Sequence, residues 1–236
     1  VNVRKIQRNG RLVTLLLMAL VVPAMSRGMM SRLPRAHQME LLAYDWHCRA
    51  LPRLKPDERI VVVGMDDKSL ERLRLRSYPL PRRMHAQAVD VLREAGARVI
   101  GFDVMFKGDS PDDEVLAAAL KRMGKVVAPL YPTIRIEDGE EKVTFAESPQ
   151  RLRPYILASS ILVPRRFGKV RWFLPYPVDE ETTRRYPHLS VALAASYFGD
   201  ANKLPLVRNT FTLGRINAPI GKEGEILIRY AGPSGT

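Results

Sequence analysis

Three carboxylates occupy positions where chemistry could be done. Asp66 and Asp67 close the apolar run that begins at Ile60, and Asp103 lies near the end of a second run, Ala97 to Phe106. In open parallel α/β sheets, ligands gather outside the carboxyl ends of the strands. Three oxygen-bearing side chains there could ligate a hard cation such as magnesium or calcium, or accept hydrogen bonds from a small polar ligand. The competing reading is structural: Asp67 caps the helix that follows, and Asp66 or Asp103 satisfies loop amides. Neither a nucleophile nor a phosphate loop accompanies the carboxylates, so a metal-dependent hydrolase is the less favoured alternative.

The other chemistry-bearing residues are dispersed. His37, His47, His85 and His188 form no pair at helical ligand spacing and no HExxH pattern. His85 falls in the first turn of an expected helix, which gives it a surface or capping role. Ser159-Ser160 lacks a nucleophile elbow, and no glycine-rich phosphate loop appears. One cysteine, Cys48, excludes an intrachain disulfide framework. No catalytic residue and no cofactor are expected. Arg165, Arg166, Lys169 and Arg171 interleave with Phe167 and Trp172, while Arg82-Arg83 and Arg184-Arg185 add local charge. Such clusters can hold single-stranded nucleic acid, form solvated faces, lie against anionic lipid headgroups, or receive an anionic ligand. Asp179, Glu180 and Glu181 offset the later cluster, and nucleic acid is not expected as a partner.

The elements that must position these residues alternate between strand and helix. Ile60 to Val63 is a β-branched run bounded by turn residues, which predicts a strand buried on both faces. A short helix follows over Lys68 to Leu75. A second opens at Pro81 and runs to about Ala95, with Met84, Ala88, Val91, Leu92 and Ala95 as its apolar stripe and Gly96 as its stop. Ala97 to Phe106 is a second buried strand. Ser110-Pro111-Asp112-Asp113 resembles a capping box, and Val115, Leu116, Ala119, Leu120 and Met123 line one face of the helix it starts. Lys125 to Tyr131 is a third strand. This order implies a largely parallel central sheet flanked by helices, with right-handed crossovers. The segments Thr133–Ile136 and Lys142–Phe145 alternate around Asp138-Gly139 as a hairpin insertion does. Tyr155 to Val163 predicts another strand, Pro187 to Tyr197 a helix stopped at Gly199, and Glu225 to Tyr230 a last strand. The whole reads as one α/β domain.

The charge is concentrated at the start. The chain has 236 residues, 38 Lys plus Arg against 25 Asp plus Glu, and a net charge of +13. Residues 1–35 hold seven of the basic residues and no acid. Within them, Leu12 to Met25 carries no charge. As a helix it spans about 21 Å, short against a hydrocarbon core of roughly 30 Å, although Gly28 to Met30 extend it past Arg27 and the flanking arginines can snorkel. The expectation is a signal-anchor helix over 12–30, held in lipid by Leu12, Leu15, Leu16, Leu17, Leu20, Val21 and Val22. It would leave residues 1–11 as a basic cytoplasmic tail and export 31–236. Cleavage after Ala24-Met25-Ser26 would instead release a soluble exported binding protein, and an apolar core helix is the third possibility.

Several blocks occur together and in order: Tyr44-Asp45, IVVVGMDDKSL, YPLPRRMH, GARVIGFDVMF, DDEVLAAALKRMGKVVAP and, more weakly, GKVRWFLPYP, YPHLSVALAA and ILIRYAGPSGT. In this they resemble the type-two CHASE domains over about residues 40–236. Two positions depart from that pattern, with Tyr78-Pro79-Leu80 where the family shows a Trp-Pro-Trp-like turn and His47-Cys48 where it shows Arg-Phe. The resemblance implies an extracytoplasmic sensory domain of a cell-membrane receptor (in the bacterial inner membrane) coupled to cyclase or kinase output. It also implies an unidentified small-molecule or physical stimulus, homodimerisation, and an output module outside this chain. On the same ground the sensory domain is expected to be truncated at its C-terminal end.

Overall fold

A computed structural model describes residues 34–50, 55, 57–75, 78–137, 140–161, 170–199, 206–207, 210–214, 216–221 and 224–228. The expected anchor at 12–30, the turn at Asp138-Gly139, the basic residues Arg165, Arg166 and Lys169, and the closing Gly232–Gly235 lie outside the described residues. Among the described residues no helix is long and apolar enough to cross a membrane. The chain divides into two units, one of residues 1–61 with 229–236 and the other Val62–Ile228. In the first unit, α1 (Pro34–Ala50) buries Leu41 and leaves Met39, Leu42 and Trp46 exposed.

The second unit contains the sheet. Its elements begin with α2 (Asp67–Arg72), α3 (Arg82–Glu94), β1 (Ile100–Gly101), α4 (Asp113–Met123) and β2 (Val126–Pro129). The hairpin β3 (Tyr131–Glu137) and β4 (Glu140–Ala146) follows, then a 3-10 turn at Arg153–Tyr155 and β5 (Leu157–Ser159). The last elements are β6 (Trp172–Phe173), α5 (Leu189–Phe198), β7 (Leu206–Val207), β8 (Thr210–Leu213), β9 (Ile216–Pro219) and β10 (Ile226–Leu227). Strands β1, β2 and β5 form a parallel sheet in that order. The expected hairpin pairs antiparallel with Thr133 opposite Thr144. The final strand β10 pairs antiparallel with β6, apart from the parallel sheet.

The main core is made where α3 and α4 pack beside the sheet. Val89, Leu116, Ala119, Leu120, Val126 and Ala128 are buried together with Phe106 and Leu152. Each large apolar side chain withdrawn from water in this way contributes about 1.5–3 kcal/mol. Helix α4 follows its expected pattern, except that Val115 faces solvent. The expected capping box at Ser110 does not form: Asp112 is the N-cap, without a side-chain bond. Ser110 instead makes a turn just before the helix, its Oγ accepting from the Asp112 amide at 3.3 Å and its amide donating to an Asp113 carboxylate oxygen at 3.0 Å. Gly101 has its own reason to be glycine. A Cβ added there would stand 2.6 Å from Leu193 Cδ2, so the missing side chain is what lets α5 lie on β1.

Other expectations fail in whole or in part, and the second buried strand shrinks to Ile100–Gly101. The stripe assigned to α3 holds only in part: Met84 and Leu92 are half-buried, Leu92 against the main core, but Ala88, Val91 and Ala95 are exposed, while Arg82, His85, Ala86 and Val89 are buried. An apolar count passes over a charged and an imidazole side chain that the interior has partnered. The Ile60–Val63 strand is absent as well. These residues form no strand and are exposed, Val62 at 87%. Composition shows what a buried strand tolerates, but a strand also has to pair, and the segment bonds to no strand among the described residues.

Candidate functional site

The predicted carboxylates do not converge. Asp66, rather than Asp67, is the N-cap of α2. Its Oδ1 accepts from the Ser69 amide at 2.9 Å and the Ser69 hydroxyl at 2.7 Å, completing a capping box. The Ser69 hydroxyl and amide hold the Asp66 carboxyl below its ordinary pKa. Asp67 begins the helix and is exposed, as is Asp103 beyond the end of β1. Among the described residues no three acidic, histidine or cysteine side chains are grouped to hold a metal ion. The geometry therefore uses Asp66 as a cap and leaves Asp67 and Asp103 in solvent.

The polar group the interior has built lies elsewhere. Arg82, at the start of α3, forms a buried ion pair with Asp113, at the start of α4, and donates to the carbonyls of Lys107 (3.1 Å) and Gly108. Its neighbour Arg83 pairs with Asp112 at 3.0 Å on the surface. The tandem arginines of one helix start thus grip the tandem aspartates of the other. His85 lies one turn further along α3 and is buried, edge-on to Phe102 and Phe106 at centroid distances of 5.8 and 5.5 Å. Burial first, and the Arg82 charge second, hold its pKa below the ordinary histidine value. Its expected surface role is incorrect: a helix start that packs on aromatic rings needs a flat, neutral ring there.

Residues read as a solvated or lipid-facing basic cluster are partly interior. Arg171 and Trp172 are buried. Asp179, read as an offsetting surface charge, is also buried. It accepts from the amides of Phe145 (2.8 Å), Thr182 (2.8 Å) and Glu181 (3.1 Å). Burial works against its charge, but these amides keep its pKa below the ordinary value. His188 caps α5 through Nδ1, which is 2.9 Å from the Ser190 hydroxyl. Burial lowers its pKa as well.

One cleft of about 370 Å³ combines several cations with backbone polar groups. It runs beside β5 and is lined by Leu130, Glu147, Arg153, Ala158, Arg185 and Tyr186, among others. Glu147 pairs with Arg153 and, at 3.7 Å, with Arg184. Arg153 also donates to the Ser148 carbonyl at 2.7 Å, and the Arg184 guanidinium lies 5.7 Å from the Tyr186 ring centroid. In the sequence Arg184-Arg185 stand out only as local charge, and nothing marks Glu147 or Arg153. No spacing signal links positions so far apart; only the fold brings them together.

Fold and polar layout define a parallel α/β domain whose buried charges hold its elements together and whose open cleft is basic. The chain belongs to a known family: the model of the CHASE2 domain matches residues 14–236. This is an extracellular sensory domain family of cyclase- and kinase-associated receptors. No curated protein matches the chain, and no solved structure does.

Proposed function

We propose that this chain is the extracytoplasmic sensing portion of a membrane receptor coupled to cyclase or kinase output, anchored by the apolar segment 12–30. The observation that carries this reading is the CHASE2 match across residues 14–236, which begins inside the apolar run and continues through the α/β unit. The acid-free basic flank supports the orientation, since positive charge is retained on the cytoplasmic side. The domain would act by holding two conformations, or two dimer geometries, that a stimulus binds with different affinity. It passes signal rather than performing chemistry; the Asp67 and Asp103 carboxylates are solvent-facing positions available to a polar ligand, while Asp66 is engaged as the cap of α2.

Topology reporters test this. Alkaline phosphatase fused after residue 228 of the full chain should be active in intact cells, while green fluorescent protein at the same point should be dark. The opposite pattern, with the body in the cell interior, overturns the reading.

A further inference from the structure

We propose that the cleft beside β5 binds a small organic carboxylate anion; this rests on the sensory reading and names the ligand class. The first support is electrostatic. Arg153, Arg184 and Arg185 line the cleft against one acid, Glu147, which is already bracketed by Arg153 and Arg184. Arg185 has no carboxylate partner among the described residues. A guanidinium fork with no protein carboxylate opposite it matches the planar, two-oxygen geometry of a ligand carboxylate.

The second support comes from the sheet edge. Ser159 accepts from the Leu130 amide on the β2 side at 2.8 Å, so its neighbours on the strand turn their peptide groups outward. At Ser160 these outward groups are filled, the amide donating to the Pro187 carbonyl at 2.8 Å and the carbonyl accepting from Leu189 at 2.7 Å. Two residues earlier, Ala158 and the residues Arg184–Pro187 line the cleft together, and no backbone bond joins them. The Ala158 N–H and C=O therefore face the cleft with no backbone partner among the described residues. A half-buried peptide edge needs polar partners. A hydroxylated or two-headed carboxylate supplies both an acceptor for the N–H and a charge for the arginines. The cleft volume is near the lower end of the roughly 300–1,000 Å³ typical of ligand sites, which fits a small acid better than a nucleotide.

The test is calorimetric titration of the purified full chain in mild detergent with acetate, succinate, malate and citrate. Inorganic phosphate and the uncharged succinamide serve as comparators. At least one carboxylate should bind at a single site, and succinamide should not. Arg185→Ala should weaken binding about tenfold or more, whereas Arg151→Ala, whose side chain pairs with Glu114 outside the cleft, should leave it unchanged. Glu147→Gln removes the competing carboxylate and should tighten binding severalfold. Far-ultraviolet circular dichroism of each variant should match the parent. Absence of binding by every carboxylate at millimolar concentration overturns the proposal. So does tighter binding of phosphate, equal binding by Arg185→Ala, or weaker binding by Glu147→Gln. None of these results touches the topology of the chain, which the reporter fusions decide separately.

Discussion

Arg82 and Asp113 are 31 residues apart in sequence and meet as a buried ion pair, 8% and 1% exposed respectively, that ties the start of α3 to the start of α4. Removing one member strands the other charge in the interior. Asp113→Ala should therefore cost about 3–5 kcal/mol in urea unfolding. The neighbouring surface pair behaves differently: Asp112→Ala removes the contact with Arg83, which is 66% exposed, and should cost less than about 1 kcal/mol. The double variant Arg82→Met, Asp113→Leu should be more stable than Asp113→Ala alone, because it leaves no unpaired charge. Equal losses for the two aspartates would show that the inner pair is solvated.

How legible this arrangement is in the sequence depends on how local each signal is. The starts of α3 and α4, the β3–β4 hairpin and the parallel order β1–β2 follow from proline, glycine, capping residues and apolar runs, all readable within a few positions. That Ser110 bonds to the aspartates that follow it is legible for the same reason, although Asp112 and not Ser110 is the N-cap. That Asp113 also receives Arg82 is not, since nothing in either neighbourhood names a partner across an intervening strand. The stripe of α3 is misread because burial of Arg82 and His85 depends on those remote partners. The cleft is hidden for the same reason, as Glu147, Arg153 and Arg185 come from separate segments. Asp66 shows how far a local signal can slip by one position: the sequence pattern places the cap at Asp67, and the backbone puts it at Asp66.

His85 makes stability depend on pH. The folded state keeps the ring against Phe102, Phe106 and the Arg82 charge, so it resists protonation, whereas the unfolded chain takes the proton near the ordinary value of about 6.5. Below that value the unfolded state binds more protons, and stability must fall as pH drops. The loss should begin near pH 7 and stop once the lowered folded pKa is passed, with a slope of at most about 1.4 kcal/mol per pH unit from this group. His188 adds to the slope in the same sense, since burial lowers its pKa too. Urea midpoints between pH 7.5 and 5 measure the effect. His85→Asn should flatten the slope even where it lowers stability at pH 7.5, and an unaltered slope would show that the ring does not titrate out of the fold.

Ile60–Val63 yields the most direct contest between sequence pattern and structure. Four β-branched side chains in a row are what a strand buried on both faces carries, yet all four are exposed. Exposed runs of this composition and low charge invite strand pairing between molecules. If the segment lies in solvent, Val62→Lys removes no packing. It should change the unfolding free energy of the full chain by no more than about 0.5 kcal/mol, while light scattering shows less concentration-dependent association. A strand packed on both faces would respond in the opposite way, because an ammonium forced into an apolar layer cannot be hydrated. The place for such a strand exists: Ile100 and Phe102 donate to the carbonyls of Lys125 and Val127 beside β2, which leaves the Gly101 peptide groups on the outer edge of β1. A loss of more than about 2 kcal/mol on Val62→Lys would therefore mean that the run is covered in solution and that the β-pattern, not the exposed geometry, describes the folded chain.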